Sequence, residues 1–271
     1  MNFTKKYQNI VEKNRSFLCI GLDIHDALMP SHFSSIDYLR GIIDSTNDLV
    51  CAYKPNIAFF EKHGPEGITL LKNIIDYIPS DIPIILDAKR GDIGSTAEAY
   101  ADAAFNFFNA DAITLNPYFG IDSIKPFTDF KDKYAFILCR TTNKSSNQIQ
   151  SLELKNGSNL FKEIASLSNQ WNDNDNIGLV VGATFINEAK EIRTISPQMI
   201  FLVPGIGSQG GDTKEIVNAL KVNDSNPQMI ISASRSIIFA GEQNSTSLTD
   251  YMEDVRNEAI NLKNEINQYL D

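Results

Sequence analysis

The sequence predicts an α/β protein closed into a (β/α)8 TIM barrel, with an extra N-terminal helix ahead of the first strand. Three observations carry that prediction. Apolar, β-branched runs alternate with amphipathic stretches eight times along the chain. Each run is almost continuously hydrophobic, as strands of a parallel sheet are when helices cover both faces. The length, 271 residues, is close to the ~250 typical of such a barrel. An open doubly wound sheet is the alternative, but it seldom uses eight repeats of such regular length.

The elements follow in order. Residues 4–14 read as a short helix with Tyr7, Ile10 and Val11 on one side. The first strand, 17–22, ends at Asp23, and a loop with Pro30 leads to a helix over 35–48. The second strand, 49–53, stops at Lys54-Pro55-Asn56, because proline cannot continue a ladder. A helix over 65–78 precedes the third strand, 82–89. A helix over 95–109, rich in alanine and phenylalanine, precedes strand 112–115, which ends at Asn116-Pro117. A helix over 121–130 precedes strand 134–139, which ends at Arg140-Thr141-Thr142. A helix over 157–172 precedes strand 177–182, ending at Ala183-Thr184. A helix over 186–195 precedes strand 199–203, ending at Pro204-Gly205. A helix over 212–221 precedes strand 229–233, which ends at Ser234-Arg235, and a helix over 247–269 closes the chain. The asparagine-rich patches at 143–147 and 169–176 read as surface loops. No low-complexity linker divides the chain, so residues 1–271 are expected to form one domain.

Composition narrows the function. With 24 basic and 34 acidic residues the net charge is −10, which disfavours a nucleic-acid or anionic-membrane surface but leaves room for a small basic pocket. No run approaches a membrane span, and the N-terminus lacks the apolar core of a signal peptide, so a cytoplasmic protein is expected. Cys19, Cys51 and Cys139 sit inside apolar runs without C-x-x-C spacing, as buried thiols do. His25, His32 and His63 form no ligand pair, so no metal site is expected.

The chemistry gathers at strand ends. In residues 82–96 a buried strand runs into Asp87, Lys89 and Asp92, and Gly91 and Gly94 break it. Alternation puts Asp87 and Lys89 on one face. Opposite charges at the end of a buried strand are costly unless paired; a solvated charged turn is the bland alternative. Asp23, Lys54, Asn116, Thr142, Thr184 and Arg235 end other strands, and all would open on one rim, where active sites of this fold lie. For Asn116 and Thr184 a helix cap or loop role is preferred. Two lysines and two aspartates around one cavity would keep one another ionised. After the seventh strand, Pro204-Gly205-Ile206-Gly207-Ser208-Gln209-Gly210-Gly211-Asp212 opens a helix and exposes backbone N–H groups that suit a phosphate. The same glycines match G-x-G-x-x-G, but the acid expected at the end of the next strand is replaced by Ser234-Arg235, which disfavours a nicotinamide or flavin enzyme.

Asp87-Ala88-Lys89-Arg90-Gly91-Asp92-Ile93-Gly94-Ser95-Thr96 resembles the D-x-K-x-x-D-I-x-x-T signature of the orotidine 5′-phosphate decarboxylase family, in its longer D-A-K-R-G-D-I-G-S-T form. The likeness continues through Gly21-Leu22-Asp23, Lys54-Pro55-Asn56, Thr141-Thr142-Asn143, the glycine loop and Ser234-Arg235-Ser236, from the first strand to the eighth. The resemblance implies conversion of orotidine 5′-phosphate to UMP and CO2 without a cofactor. It implies a catalytic network of Lys54, Asp87, Lys89 and Asp92. It further implies a homodimer in which Asp92 and Thr96 act in the partner subunit's site. Asp23 and Asn56 would hold ribose hydroxyls, Thr142 the pyrimidine edge, and Gln209, Gly210 and Arg235 the phosphate. Position 142 is often serine in the family, and threonine keeps the hydroxyl; Lys144 replaces a common proline. A Mg²⁺-dependent phosphosugar aldolase or decarboxylase of the same superfamily, and a catalytically silent nucleotide-binding barrel, are the competing readings.

Overall fold

The computed structural model describes residues 1–206, 210–222, 228–242, 245 and 247–270. Helix α1 (Phe3–Asn14) comes first. It is followed by β1 (Leu18–Gly21), α2 (Ser35–Thr46), β2 (Ala52–Lys54), a short α3 (Ala58–Glu61), α4 (Gly64–Tyr77) and β3 (Ile85–Arg90). Then come α5 (Gly94–Asp102), β4 (Ala112–Leu115), a four-residue α6 (Lys125–Thr128) and β5 (Tyr134–Arg140). A short α7 (Asn147–Gln150), α8 (Leu160–Gln170), β6 (Ile177–Val181), α9 (Ile186–Ile195), β7 (Phe201–Pro204) and α10 (Thr213–Leu220) follow. The chain closes with β8 (Met229–Ala233), a short α11 (Arg235–Ile238) and α12 (Leu248–Gln268).

Among the described residues the eight strands are parallel, in the order β2-β1-β8-β7-β6-β5-β4-β3. Bridges Tyr53↔Ile84 and Asn56↔Asp87 join β2 to β3 and bring the ends of that order together. The (β/α)8 barrel expected from the sequence is therefore present. β1, β4, β6 and β8 are buried along their whole length, which is why their runs are almost continuously apolar.

Helix α1 closes the N-terminal mouth of the barrel. Asn2 caps it, its side chain accepting from the Lys5 amide at 3.0 Å. Tyr7 donates to the Met229 carbonyl at 2.7 Å, Phe3 stacks on Tyr134 at 4.7 Å, and Lys6 pairs with Asp111 at 2.6 Å. These partners sit at or beside the starts of β8, β5 and β4, so the helix lies across the strand origins. Arg193 of α9 works at the same end. It donates to the carbonyls of Leu220, Ser196, Met199 and Gln228 at 2.7–3.2 Å and lies 3.6 Å from the Phe201 ring centroid. Burial pulls its guanidinium down to about 10.

Several boundaries differ from expectation for physical reasons. Leu49 and Val50 are buried but precede the β2 ladder, since hydrophobicity marks burial and not pairing. The helix expected over 95–109 is α5 followed by a π-helical turn, Ala103–Phe107. The one expected over 121–130 is a 3-10 stretch, Pro117–Ser123, and then the short α6, because Gly120 at φ 74° interrupts it. The asparagine patches are only partly surface loop: Asn147 binds the buried Arg140, and Asn176 is buried, donating to the carbonyls of Thr128 and Phe130. Cys19, Cys51 and Cys139 are buried and free, and burial pushes the Cys19 thiol up to about 12. Among the described residues no helix is long and apolar enough to cross a membrane, and no cluster of His, Cys, Asp and Glu suits a metal ion.

Candidate active site

The C-terminal ends of the strands open on a cavity of about 630 Å³. Asp23, Lys54, Asp87, Lys89, Thr142 and Arg235, all expected at the rim, line it, and so does Asn56. Seven residues from five strand ends meet there because parallel strands deliver every C-terminal end to one side.

At its centre is one carboxylate between two ammonium groups. Lys54 Nζ lies 3.0 Å from Asp87 Oδ2, and Lys89 Nζ lies 2.6 Å from Asp87 Oδ1. The Thr114 hydroxyl donates to Asp87 Oδ1 at 2.9 Å, and Asn56 Nδ2 approaches Oδ2 at 3.5 Å. Burial alone would raise the Asp87 carboxyl. The charges of Lys54 and Lys89 outweigh it and hold the carboxyl well below the ordinary carboxylate range. Burial would likewise lower Lys54, but Asp87 and Asp23 outweigh it and raise the ammonium above its ordinary value. Asp87 and Lys54 both stay charged through the neutral range. Lys54 and Asp87 are 7% and 8% exposed, whereas the Lys89 side chain is 47% exposed and reaches into the open cavity.

Asp23 is held from two sides. Its Oδ1 accepts from the Asn56 amide at 3.1 Å and its Oδ2 from the Ser234 hydroxyl at 2.8 Å. Gly21 permits this, since a Cβ there would lie 2.8 Å from Ser234 Cβ and 3.1 Å from Asp23 Oδ2. The Asn56 side chain also accepts from the Ala58 amide at 3.1 Å, which turns the chain into α3.

The loop after β5, which carries Thr142, is organised by Arg140. That side chain is fully buried, 3.6 Å from the Phe185 ring centroid. It donates to Ser146 Oγ at 2.7 Å, to Gln150 Oε1 at 3.2 Å and to Asn147 Oδ1. Gln150 in turn grips Thr141 through its amide and its hydroxyl, at 2.9 and 2.8 Å. Burial lowers the Arg140 guanidinium, and Glu188 at 3.7 Å opposes that.

The glycine loop is seen at its two ends. Gly205 and Ile206 line the cavity beside Arg235, and the Gly211 amide donates to the Gly205 carbonyl at 3.0 Å. Asp212 then caps α10, its side chain accepting from the Glu215 amide at 2.9 Å. Gly210, at φ 79°, is exposed and outside the cavity's described lining. Gln209, with Gly207 and Ser208, lies outside the described residues.

Two expected residues are not among those that line this cavity. Asp92 and Thr96 sit beyond β3, at the start of α5, and do not line it; Asp92 Oδ1 accepts from the Ile93 amide at 2.8 Å. Asn116 takes the cap role expected of it, accepting from the Tyr118 amide at 3.1 Å. Thr184 takes the loop role instead: it lies in the turn between β6 and α9, Phe185 holds the cap position, and the Thr184 hydroxyl is buried without a hydrogen-bond partner among the described residues. Sequence reasoning passed over Thr114 and Ser234 as site residues. A lone hydroxyl inside the apolar run Ala112-Ile113-Thr114-Leu115 was the available signal, because a buried polar group needs a partner.

Comparison with known proteins gives a consistent result. The family model described as "Orotidine 5′-phosphate decarboxylase / HUMPS family" matches residues 16–248. An orotidine 5′-phosphate decarboxylase of Herpetosiphon aurantiacus is 50% identical over 244 residues, 88% of this chain and 90% of the relative. One of Roseiflexus sp. (strain RS-1) is 44% identical over 276 aligned residues, 100% of this chain and 99% of the relative. The solved structure of Leishmania donovani OMP decarboxylase superposes with a TM-score of 0.86 at 38% identity, covering 100% of this chain and 99% of that one.

Proposed function

Since the chain belongs to the orotidine 5′-phosphate decarboxylase / HUMPS family, we propose that it converts orotidine 5′-phosphate to UMP and CO2, the last step of UMP synthesis. The observation that carries this reading is the Lys54–Asp87–Lys89 cluster at the cavity's centre, with only Lys89 substantially exposed.

The reaction breaks the bond between C6 and the carboxylate carbon and leaves the electron pair on C6. No adjacent carbonyl delocalises that pair well, so a fixed positive charge is the most direct stabiliser. Lys89 supplies it, and its ammonium then gives C6 a proton; solvent returns the proton to the amine. Asp87 anchors Lys89 and faces the departing carboxylate, while Lys54 keeps Asp87 ionised. The apolar side chains of Leu138, Val180 and Leu202 line the same cavity and limit water near the reacting carbon. Asp23 and Asn56 would hold the ribose hydroxyls and Thr142 the pyrimidine edge. The phosphate would sit among Arg235, Gln209 and the amides around Gly205 and Gly210, at the loops where this fold usually binds phosphate. Phosphate binding far from the reacting bond would drive closure of the glycine loop.

Asp92 and Thr96 fit a role in a partner's site within a homodimer. They share their surface with exposed apolar side chains: Ile93 is 55% exposed, Tyr118 83% and Phe119 54%. Such a patch is costly to leave in water. Sedimentation equilibrium is expected to give twice the 30.2 kDa chain mass; a monomer at micromolar concentration would refute the shared site. Residues 1–271 are taken as one barrel domain working in the cytoplasm, without nucleic-acid or membrane partners.

Loss of the ultraviolet absorbance of orotidine 5′-phosphate on adding the protein tests the activity directly, and no loss would sink it. Turnover is expected to survive EDTA, which separates this reading from a Mg²⁺-dependent phosphosugar enzyme. Arg235→Ala is expected to weaken binding of phosphorylated ligands by roughly 10²-fold or more, as loss of a charge-assisted contact does. An unchanged KM and UMP affinity would show that the phosphate sits elsewhere.

A further inference from the structure

The junction of β3 and β4 is irregular where the chemistry lies. From Leu86 to Arg90, β3 advances four residues while its partners on β4 advance only two, from Ile113 to Leu115. β3 therefore bulges opposite Thr114. A bulge leaves backbone groups without ladder partners, and a buried amide must find another acceptor. The Asp87 backbone is held on the other side: its amide donates to the Pro55 carbonyl at 2.9 Å, and its carbonyl accepts from the Ile57 amide at 3.3 Å. Lys89 has its backbone held differently, by a side chain of β4. Its amide donates to the Thr114 hydroxyl at 2.9 Å, and its backbone lies at φ 46°, the left-handed region that non-glycine residues seldom enter.

The same hydroxyl donates to Asp87 Oδ1, the oxygen that receives the Lys89 ammonium. One buried oxygen thus fixes both the backbone of Lys89 and the acceptor of its side chain. Threonine is stiff at χ1 because it is β-branched, so the hydroxyl has a set direction. Thr114 is 1% exposed, which leaves water little access to replace it.

We propose that Thr114 is a positioning residue for the decarboxylation: its hydroxyl holds the β3 bulge in the form that aims Lys89 at the reacting carbon. The inference rests on the decarboxylase reading for its kinetic arm only. Without the hydroxyl the Lys89 amide loses its acceptor, and relaxation of the bulge to negative φ carries the ammonium away from Asp87. Displacement by about 1 Å costs on the order of 10²-fold in rate.

Thr114→Val keeps the shape and removes the hydroxyl; Thr114→Ser keeps the hydroxyl and removes a methyl. For Thr114→Val, kcat is expected to fall roughly 10–100-fold while KM and UMP affinity stay within about threefold. Thr114→Ser is expected to retain most of the turnover, and melting temperatures of both variants report the packing cost separately. Turnover of Thr114→Val within about threefold of wild type would overturn the proposal, as would an equal loss in Thr114→Ser, which would assign the effect to packing. Should the wild-type protein leave orotidine 5′-phosphate unchanged, the decarboxylase reading falls. The crystal structure of Thr114→Val then decides this inference by itself. Lys89 at negative φ upholds it, and Lys89 unmoved on Asp87 refutes it.

Discussion

Replacing Lys89 with alanine is expected to lower kcat for orotidine 5′-phosphate at least about 10³-fold while the variant still binds UMP. The magnitude follows from the two tasks given to one ammonium: charge stabilisation of a carbanion and delivery of a proton, each worth about 10²–10³-fold or more. The two are not additive, because the same group performs both. UMP binding survives because the proposed ribose and phosphate contacts, Asp23, Asn56 and Arg235, belong to other strands. Removing Lys89 also leaves Asp87 with Lys54 as its one close cation among the described residues. Absorbance kinetics and calorimetry with UMP measure the two effects separately. Ordinary turnover by Lys89→Ala would remove the basis of the mechanism.

Replacing Arg193 with alanine is expected to destabilise the fold by about 3–5 kcal/mol without altering the chemistry. Four backbone carbonyls, from Leu220, Ser196, Met199 and Gln228, converge on this guanidinium at the end of the barrel remote from the cavity. Each loses a charged donor in a buried setting, at about 1–3 kcal/mol where no water replaces it. The Phe201 ring loses the group packed on it as well. A loss of that size lowers Tm by roughly 10 °C in a protein of this length. Thermal melts check the first part, and kcat/KM below the melting transition checks the second. A variant that melts like wild type would show that water satisfies those carbonyls.

Much of the site was legible because a parallel barrel turns strand order into spatial convergence. Asp23, Lys54, Asp87, Lys89, Thr142 and Arg235 needed only their places at strand ends to be brought together. The pairing of Asp87 with Lys89 was anticipated from strand alternation, and the two do meet. What brings them to 2.6 Å is a bulge with left-handed backbone at Lys89, which no residue pattern announces. Arg193 was illegible for a related reason. It reads as an ordinary last-turn arginine of an amphipathic helix, and its carbonyl partners carry no side-chain signature. Asn147 and Asn176 misled in the opposite direction: a polar side chain suggests solvent, yet each satisfies a buried group that the sequence does not reveal.

The helix that plugs the bottom of the barrel also sets a clock on folding. Tyr7 hydrogen-bonds the carbonyl of Met229, 222 positions later. At about 5–20 residues per second, the ribosome takes roughly 10–45 s to make the second partner after the first. Throughout that interval Tyr7 lacks its β8 partner, and the floor that Phe3, Tyr7 and Ile10 cover is incomplete. The apolar side of this helix is thus made long before the last strand it covers, and it waits for that strand while most of the barrel is synthesised.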